Sequence, residues 1–240
     1  MLNSPKLIIE FIGLPGSGKT TLSKNLYQVL GSGTQEVRFN DVSRAKGYFQ
    51  LIFKPVFLYR FITKHIQFLG GNSINKDNFG WILKNAAYHA QVQHKYFAEN
   101  GIFIYDESDF QRIWSMSVFN SKDKLDFKHL DDLADYLAGA ENKLYVLVNI
   151  DSDTSINRII NRSHPTSRFN RMSEENVKKY ITENYPVYEK IAGSIKSSGR
   201  NYLELDGENE ADYNVDLILD RLDFKNHKNT DSRIKEAGSN

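Results

Sequence analysis

Residues 13–21 read Gly-Leu-Pro-Gly-Ser-Gly-Lys-Thr-Thr, and glycines at this spacing before a lysine-threonine pair are built to hold anions. Glycines let the backbone curl until several N–H groups point at one place, and a helix starting behind them adds its positive end. An apolar run, 6–12, precedes the loop and a helical pattern, 18–30, follows it, so the full G-x-x-x-x-G-K-[ST] motif stands in the context it requires. Gly13, Pro15, Gly16, Ser17, Gly18, Lys19, Thr20 and Thr21 are expected to line a polyphosphate. Lys19 would bridge its β- and γ-phosphates, and Thr20 would offer its hydroxyl to Mg²⁺. ATP with Mg²⁺ is the expected cofactor pair.

A magnesium ion in such a site needs a carboxylate at the end of a neighbouring buried strand. In "IFIYDES", 102–108, four apolar residues lead into Asp106 and Glu107. Asp106 is expected to hold the metal through its water shell, since Mg²⁺ keeps several waters and takes few protein ligands. Glu107, on the opposite side of the strand end, could accept the proton of an attacking hydroxyl or bind the acceptor itself. Asp41, just past another strand in "RFNDVSR", competes for the role of base, or serves as a turn or cap residue. Trp81, Tyr88, His89 and Gln111 are further acceptor-side candidates, with core packing as the alternative for the aromatic ones.

Arg158 and Arg162 share one helical face, and Arg168 and Arg171 follow across a break at Pro165. Guanidinium forks suit the charge spread over a transferred phosphoryl group, so 158–173 reads as a lid, with Arg158 and Arg162 on the nucleotide and Arg162 and Arg168 on the moving phosphate. The alternative is a basic helix face balanced by Glu174 and Glu175. A GTP switch is excluded: Asp106 is followed by Glu-Ser-Asp, and "NKDN" at 75–78 lacks the N-K-x-D spacing. A dinucleotide fingerprint is excluded by the register of the glycines.

The elements that must position these groups alternate. Apolar runs at 6–12, 36–39, 102–107, 143–151 and 201–207 are separated by helical patterns at 18–30, 77–99, 109–120, 125–138, 153–162, 173–197 and 209–222. This predicts an α/β protein with the P-loop NTPase fold: about five parallel strands, helices on both faces and a helical lid. The runs 6–12, 102–107 and 143–150 are expected at the sheet centre. Pro186 should kink or split its helix. One domain, 1–222, is expected, with its acceptor-side helical region at about 40–100 and a polar tail at 223–240.

The 240 residues carry 31 Lys plus Arg against 30 Asp plus Glu, so no electrostatic footprint for nucleic acid is expected. The absence of cysteine excludes disulfides, thiolate metal sites and a cysteine nucleophile, and fits a cytoplasmic location. No run approaches about eighteen apolar residues, so no transmembrane helix is expected. The stretch 42–76 stands apart, with six basic residues, seven aromatic ones and no acid. Its first reading is two core helices joined at Pro55, burying Phe49, Leu51, Ile52, Phe53, Val56, Phe57, Leu58, Phe61, Ile62 and Ile66; its second is a membrane-surface element.

Taken in order, strand, "GLPGSGKTT", "YDESDFQRIWS", the arginine segment and "NYLELDGENEAD" resemble the P-loop kinases of the thymidylate kinase and deoxynucleoside kinase group, over roughly residues 6–222. The resemblance implies Lys19 and Thr20 in the family's catalytic positions and Arg158, Arg162 and Arg168 where its lid arginines fall. It implies that 201–212 forms the strand and turn beside the adenine. Where the family has arginine directly after its acid, this chain has Ser108, and the nearest arginine is Arg112. The expected activity is transfer of the γ-phosphate of ATP to a small-molecule hydroxyl or phosphate, a nucleoside or nucleotide first, with a sugar, glycan precursor or antibiotic next. A non-catalytic ATP-binding regulatory module is the alternative of another class. The acceptor, the ATP or GTP preference and the oligomeric state, a homodimer included, stay open at this point.

Overall fold

The apolar runs become the strands of one sheet. β1 (Leu7–Gly13), β2 (Val37–Phe39), β3 (Ile102–Tyr105), β4 (Lys143–Asn149) and β5 (Tyr202–Asp206) lie in the order β2-β3-β1-β4-β5 in the computed structural model. It describes residues 6–33, 36–71, 76–117, 125–138, 142–162, 169 and 172–222. Every pairing is parallel. β1 and β3 are buried throughout and β4 at all but its last residue, as strands covered on both faces must be. The expected central trio is the one found.

Alternation along β1 divides the core. Leu7, Ile9 and Phe11 point to the side covered by α1 (Lys19–Gly31) and α9 (Ala211–Arg221), where Leu22, Leu26, Val215 and Ile218 meet them. Ile12 belongs to the larger cluster on the other side, with Phe110 and Trp114 of α5 (Asp109–Ser117), Leu133 of α6 (Leu130–Ala138) and Ile191 of α8 (Glu174–Ser197). Helix α8 runs through Pro186 as one helix, contrary to a split. Val177 and Ile181 before the lost N–H and Val187, Tyr188, Ile191 and Ile195 after it bury its face, and Trp114 Nε1 donates to Asn184 O at 3.1 Å in the same turn. Tertiary packing thus outweighs the cost of the proline.

The stretch after β2 forms α2 (Arg44–Ile52), capped by Ser43, and α3 (Pro55–Phe68), with proline at its first turn. Both rest on α4 (Lys76–Ala98). The burial expected for this pair is only half found: Leu51 and Phe61 are buried and Phe57, Leu58, Ile62 and Ile66 partly so, whereas Phe49, Ile52, Phe53 and Val56 are exposed. The reason is the crossing of α2 over α4. Gly47 lies so close to α4 that a Cβ there would overlap the carbonyl of Ala87, so Gly47 and Leu51 face inward, while Phe49 and Ile52 on the same helix stay exposed. Gly47→Ala is expected to lower the urea midpoint markedly, with a loss of about 1–3 kcal/mol read by equilibrium unfolding.

A second expectation concerns His65 of α3, which is buried, stacks on Phe61 with centroids 4.2 Å apart and shares a hydrogen bond with Phe61 O at 2.8 Å. Burial pushes its imidazole down to about 4, against the pull of that carbonyl and of Asp109. The unfolded chain, with an ordinary histidine, binds the extra proton between about pH 6.5 and 4, so stability is full above this window and falls as pH drops through it. The loss is on the order of 3 kcal/mol. Urea titrations at several pH values are expected to give a shallower slope for His65→Gln.

Candidate functional site

The nucleotide loop hangs from the carboxyl end of the central strand. Gly16 and Gly18 take the left-handed conformation, at φ 87° and 91°, which residues with a Cβ rarely adopt. Gly18 opens α1 without any side-chain cap, leaving the first N–H groups directed at the loop's mouth. Lys19 Nζ meanwhile donates to Gly13 O and Leu14 O, each at 2.7 Å. Burial pushes its ammonium down to about 7, opposed by Glu107 and Asp106 and assisted by Arg162. Near neutral pH the lysine is therefore close to losing its proton, and an anion placed beside it would keep it charged.

Two neighbouring elements clamp this loop from outside. Asp151 caps α7 (Ser152–Ile160) by accepting from Thr154 N at 2.8 Å, and one turn in, Ser155 Oγ donates to Pro15 O at 2.7 Å. Arg158 donates to Gly207 O at 2.7 Å and to Gly16 O at 3.4 Å. It ties the turn after β5 to the loop and is not among the residues that line the cleft. Gly207 is needed at that point because a Cβ would press on Ser17 O and Ile150.

The sheet order places β3 beside β1, which brings Asp106 to the loop. Thr20 Oγ1 lies 3.4 Å from Asp106 Oδ2, and Asp106 N donates to Asn40 Oδ1 at 3.1 Å from the end of β2. Among the described residues no group of three or more His, Cys, Asp or Glu could hold a metal. A hydroxyl and a carboxylate are hard oxygen donors, and they fit Mg²⁺, which takes its other ligands from water and phosphate.

Beside the loop opens a cleft of about 510 Å³. Lys19, Thr20, Thr21 and Arg162 line it together with Glu107 and Arg112. Trp81, Gln111, Trp114, Ser115 and Phe169 line it as well. Gln111 also accepts from Gly13 N at 3.1 Å, so α5 is fixed directly to the loop. Trp114, Ser115 and Phe169 escaped the sequence reading. The first two could have been found, since they lie three and four residues after Gln111 on one helical face.

Neither a protein-family model nor a curated protein matches the chain. Among solved structures, deoxyadenosine kinase from M. mycoides with products dCMP and a flexible dCDP bound is similar at TM-score 0.54 and 17% identity, over 90% of this chain and 98% of that one. The structure of that kinase with bound dATP is similar at TM-score 0.50 and 19% identity, over 90% and 99%. The fold is deoxynucleoside-kinase-like.

Within this deoxynucleoside-kinase-like fold the departure at Ser108 has a local cause. Ser108 Oγ accepts from Gln111 N at 2.9 Å and caps α5, a task that arginine cannot perform. Arg112, one turn on, carries its guanidinium back to Glu107 Oε2 at 3.1 Å and stacks on the Tyr88 ring, 3.6 Å from its centroid. Tyr88 in turn donates to Glu107 O at 2.9 Å.

Asp41 does not line the cleft. Its carboxylate pairs with Lys95 and Arg38, and the hydrogen bond from Lys95, with that ammonium's charge and Arg38 adding to it, holds it below the usual carboxylate range. His89 also stands apart from the cleft: it is fully buried, stacks on Phe57 and joins Asp109 at 2.6 Å, a bridge between α4 and α5. Arg168, Arg171 and the tail 223–240 lie outside the described residues.

Proposed function

We propose that this protein is a P-loop phosphotransferase that carries the γ-phosphoryl group of ATP to a hydroxyl or phosphate of a small molecule, a nucleoside or nucleotide first. The observation that carries the reading is the meeting, in one cleft, of Lys19, Thr20, Glu107, Arg112 and Arg162, with Asp106 behind Thr20. Lys19 gives up two loop carbonyls for the β- and γ-phosphates, and the amides after Gly16 hold the same oxygens. Thr20 and Asp106 hold Mg²⁺, which when bound offsets the charge between those phosphates. Glu107 accepts the acceptor's proton, and Arg112 keeps that carboxylate in place. Arg162 faces the charge that grows on the moving phosphoryl group.

The lining supports a ring-shaped acceptor, since Trp81, Trp114 and Phe169 bring aromatic side chains and Gln111 an amide to the same cleft. The similar kinase structures hold dCMP, dCDP and dATP, which agrees with a nucleoside or nucleotide there. The deciding experiment incubates the protein with γ-labelled ATP and Mg²⁺ against nucleosides, nucleoside monophosphates and sugars. Label on a nucleoside or its monophosphate supports the reading. Label on a sugar alone moves the acceptor class, and label on none of them overturns phosphotransfer to small molecules.

A further inference from the structure

The outward face of α2 and α3 is apolar where a monomer surface should be polar. Tyr48, Phe49, Ile52, Phe53, Val56 and Tyr59 are all exposed, with Ile52 at 71%, Phe53 at 69% and Tyr59 at 71%. Six large apolar side chains in twelve residues form one continuous patch, because Ile52, Phe53 and Val56 sit at the elbow between the helices and the others flank it. Phe49 and Phe53 pack edge to face, with centroids 5.1 Å apart, so the patch has a set shape. Patches of this kind mark interaction sites.

The charge around the patch selects the partner. Arg44, Lys46, Lys54 and Arg60 are exposed along the same two helices, and no acidic residue occurs between Val42 and Gly71. Lys64 is set aside because it lies 3.5 Å from Asp132. A second copy of the chain is a poor occupant, since a two-fold contact would set one uniformly basic face against another. An anionic lipid surface answers both properties at once: apolar and aromatic side chains enter the boundary of headgroup and acyl chain while lysine and arginine stay among the phosphates.

We propose that this α2–α3 face docks the protein on anionic membranes. The anchoring is firm on the protein side, because Gly47 and Leu51 hold α2 on α4, and Phe61 and Phe68 hold α3 in the core. The elbow is then a rigid wedge. The inference rests on exposure and charge alone and does not depend on the phosphotransferase reading.

The test sediments the full chain with phosphatidylcholine vesicles, with and without phosphatidylglycerol, at low and at high salt. The expected result is pelleting with the anionic vesicles only, reversed by salt. Two variants separate the contributions: Ile52→Ser with Phe53→Ser and Val56→Ser, and Lys46→Glu with Lys54→Glu and Arg60→Glu. Each should weaken vesicle binding about tenfold or more, while circular dichroism and thermal midpoint stay those of the parent, since all six side chains are exposed. Absence of pelleting, equal pelleting with neutral vesicles, or parent-like binding by both variants overturns the proposal. Dimers in sedimentation velocity that the serine variant abolishes, without vesicle binding by the parent, would assign the face to a second copy.

Discussion

Lys19→Ala is expected to reduce phosphoryl transfer by about a thousandfold or more, with the chain still folded. Among the described residues the lysine donates to Gly13 O, Leu14 O and Ser17 Oγ, so its removal leaves loop carbonyls beside the cleft and not a cavity in the hydrophobic core. Folding should therefore be close to that of the parent. Transfer should not, because the moving charge develops where this ammonium is aimed and, among the described residues, no other lysine lines the cleft. Lys19→Arg should recover little, since the longer, planar guanidinium cannot sit as a point charge between the carbonyls. Single-turnover rates with γ-labelled ATP read the difference, and a near-parental rate for Lys19→Ala would sink the mechanism.

Glu107→Gln should lower kcat by about a hundredfold to ten-thousandfold with little change in the KM for ATP. Asp41→Asn should leave kcat close to normal. The contrast follows from placement: Glu107 opens into the cleft beside Arg112, whereas Asp41 is turned to Lys95 and Arg38. The loss in Asp41→Asn should appear as stability instead, at most about 1 kcal/mol for a pair this open to solvent. Steady-state kinetics on both variants decide the matter, and the reverse pattern would transfer the role of base to Asp41.

The parts of the site that the sequence disclosed are those whose chemistry is local. A glycine-rich turn between a buried strand and a helix declares itself within nine residues, and Asp106 declares itself because it ends an apolar run. The setting of Asp41 was hidden because its partner, Lys95, lies fifty-four positions away on α4, and no local pattern couples the two. The exposure of Phe49, Ile52, Phe53 and Val56 was hidden for a related reason. Apolar residues mark a face for burial, but what covers the face is decided by where α4 crosses, and that depends on one glycine meeting one carbonyl. The contacts of Arg158 with Gly16 O and Gly207 O were hidden likewise, since both partners are remote in the sequence. Pro186 is the opposite case, a strong local signal that does not split α8 because the helix is packed on both sides of it.

The nucleotide loop grows from β1, which is paired on both edges by β3 and β4, while α2 and α3 rest chiefly on other helices. The loop and the α2–α3 elbow therefore belong to different tiers of the fold. Opening the loop requires breaking the middle of the sheet, which is global unfolding, whereas the seat of the elbow is helix packing that involves no strand pairing. Such a division lets the elbow's outer face diverge between relatives while the loop keeps its shape.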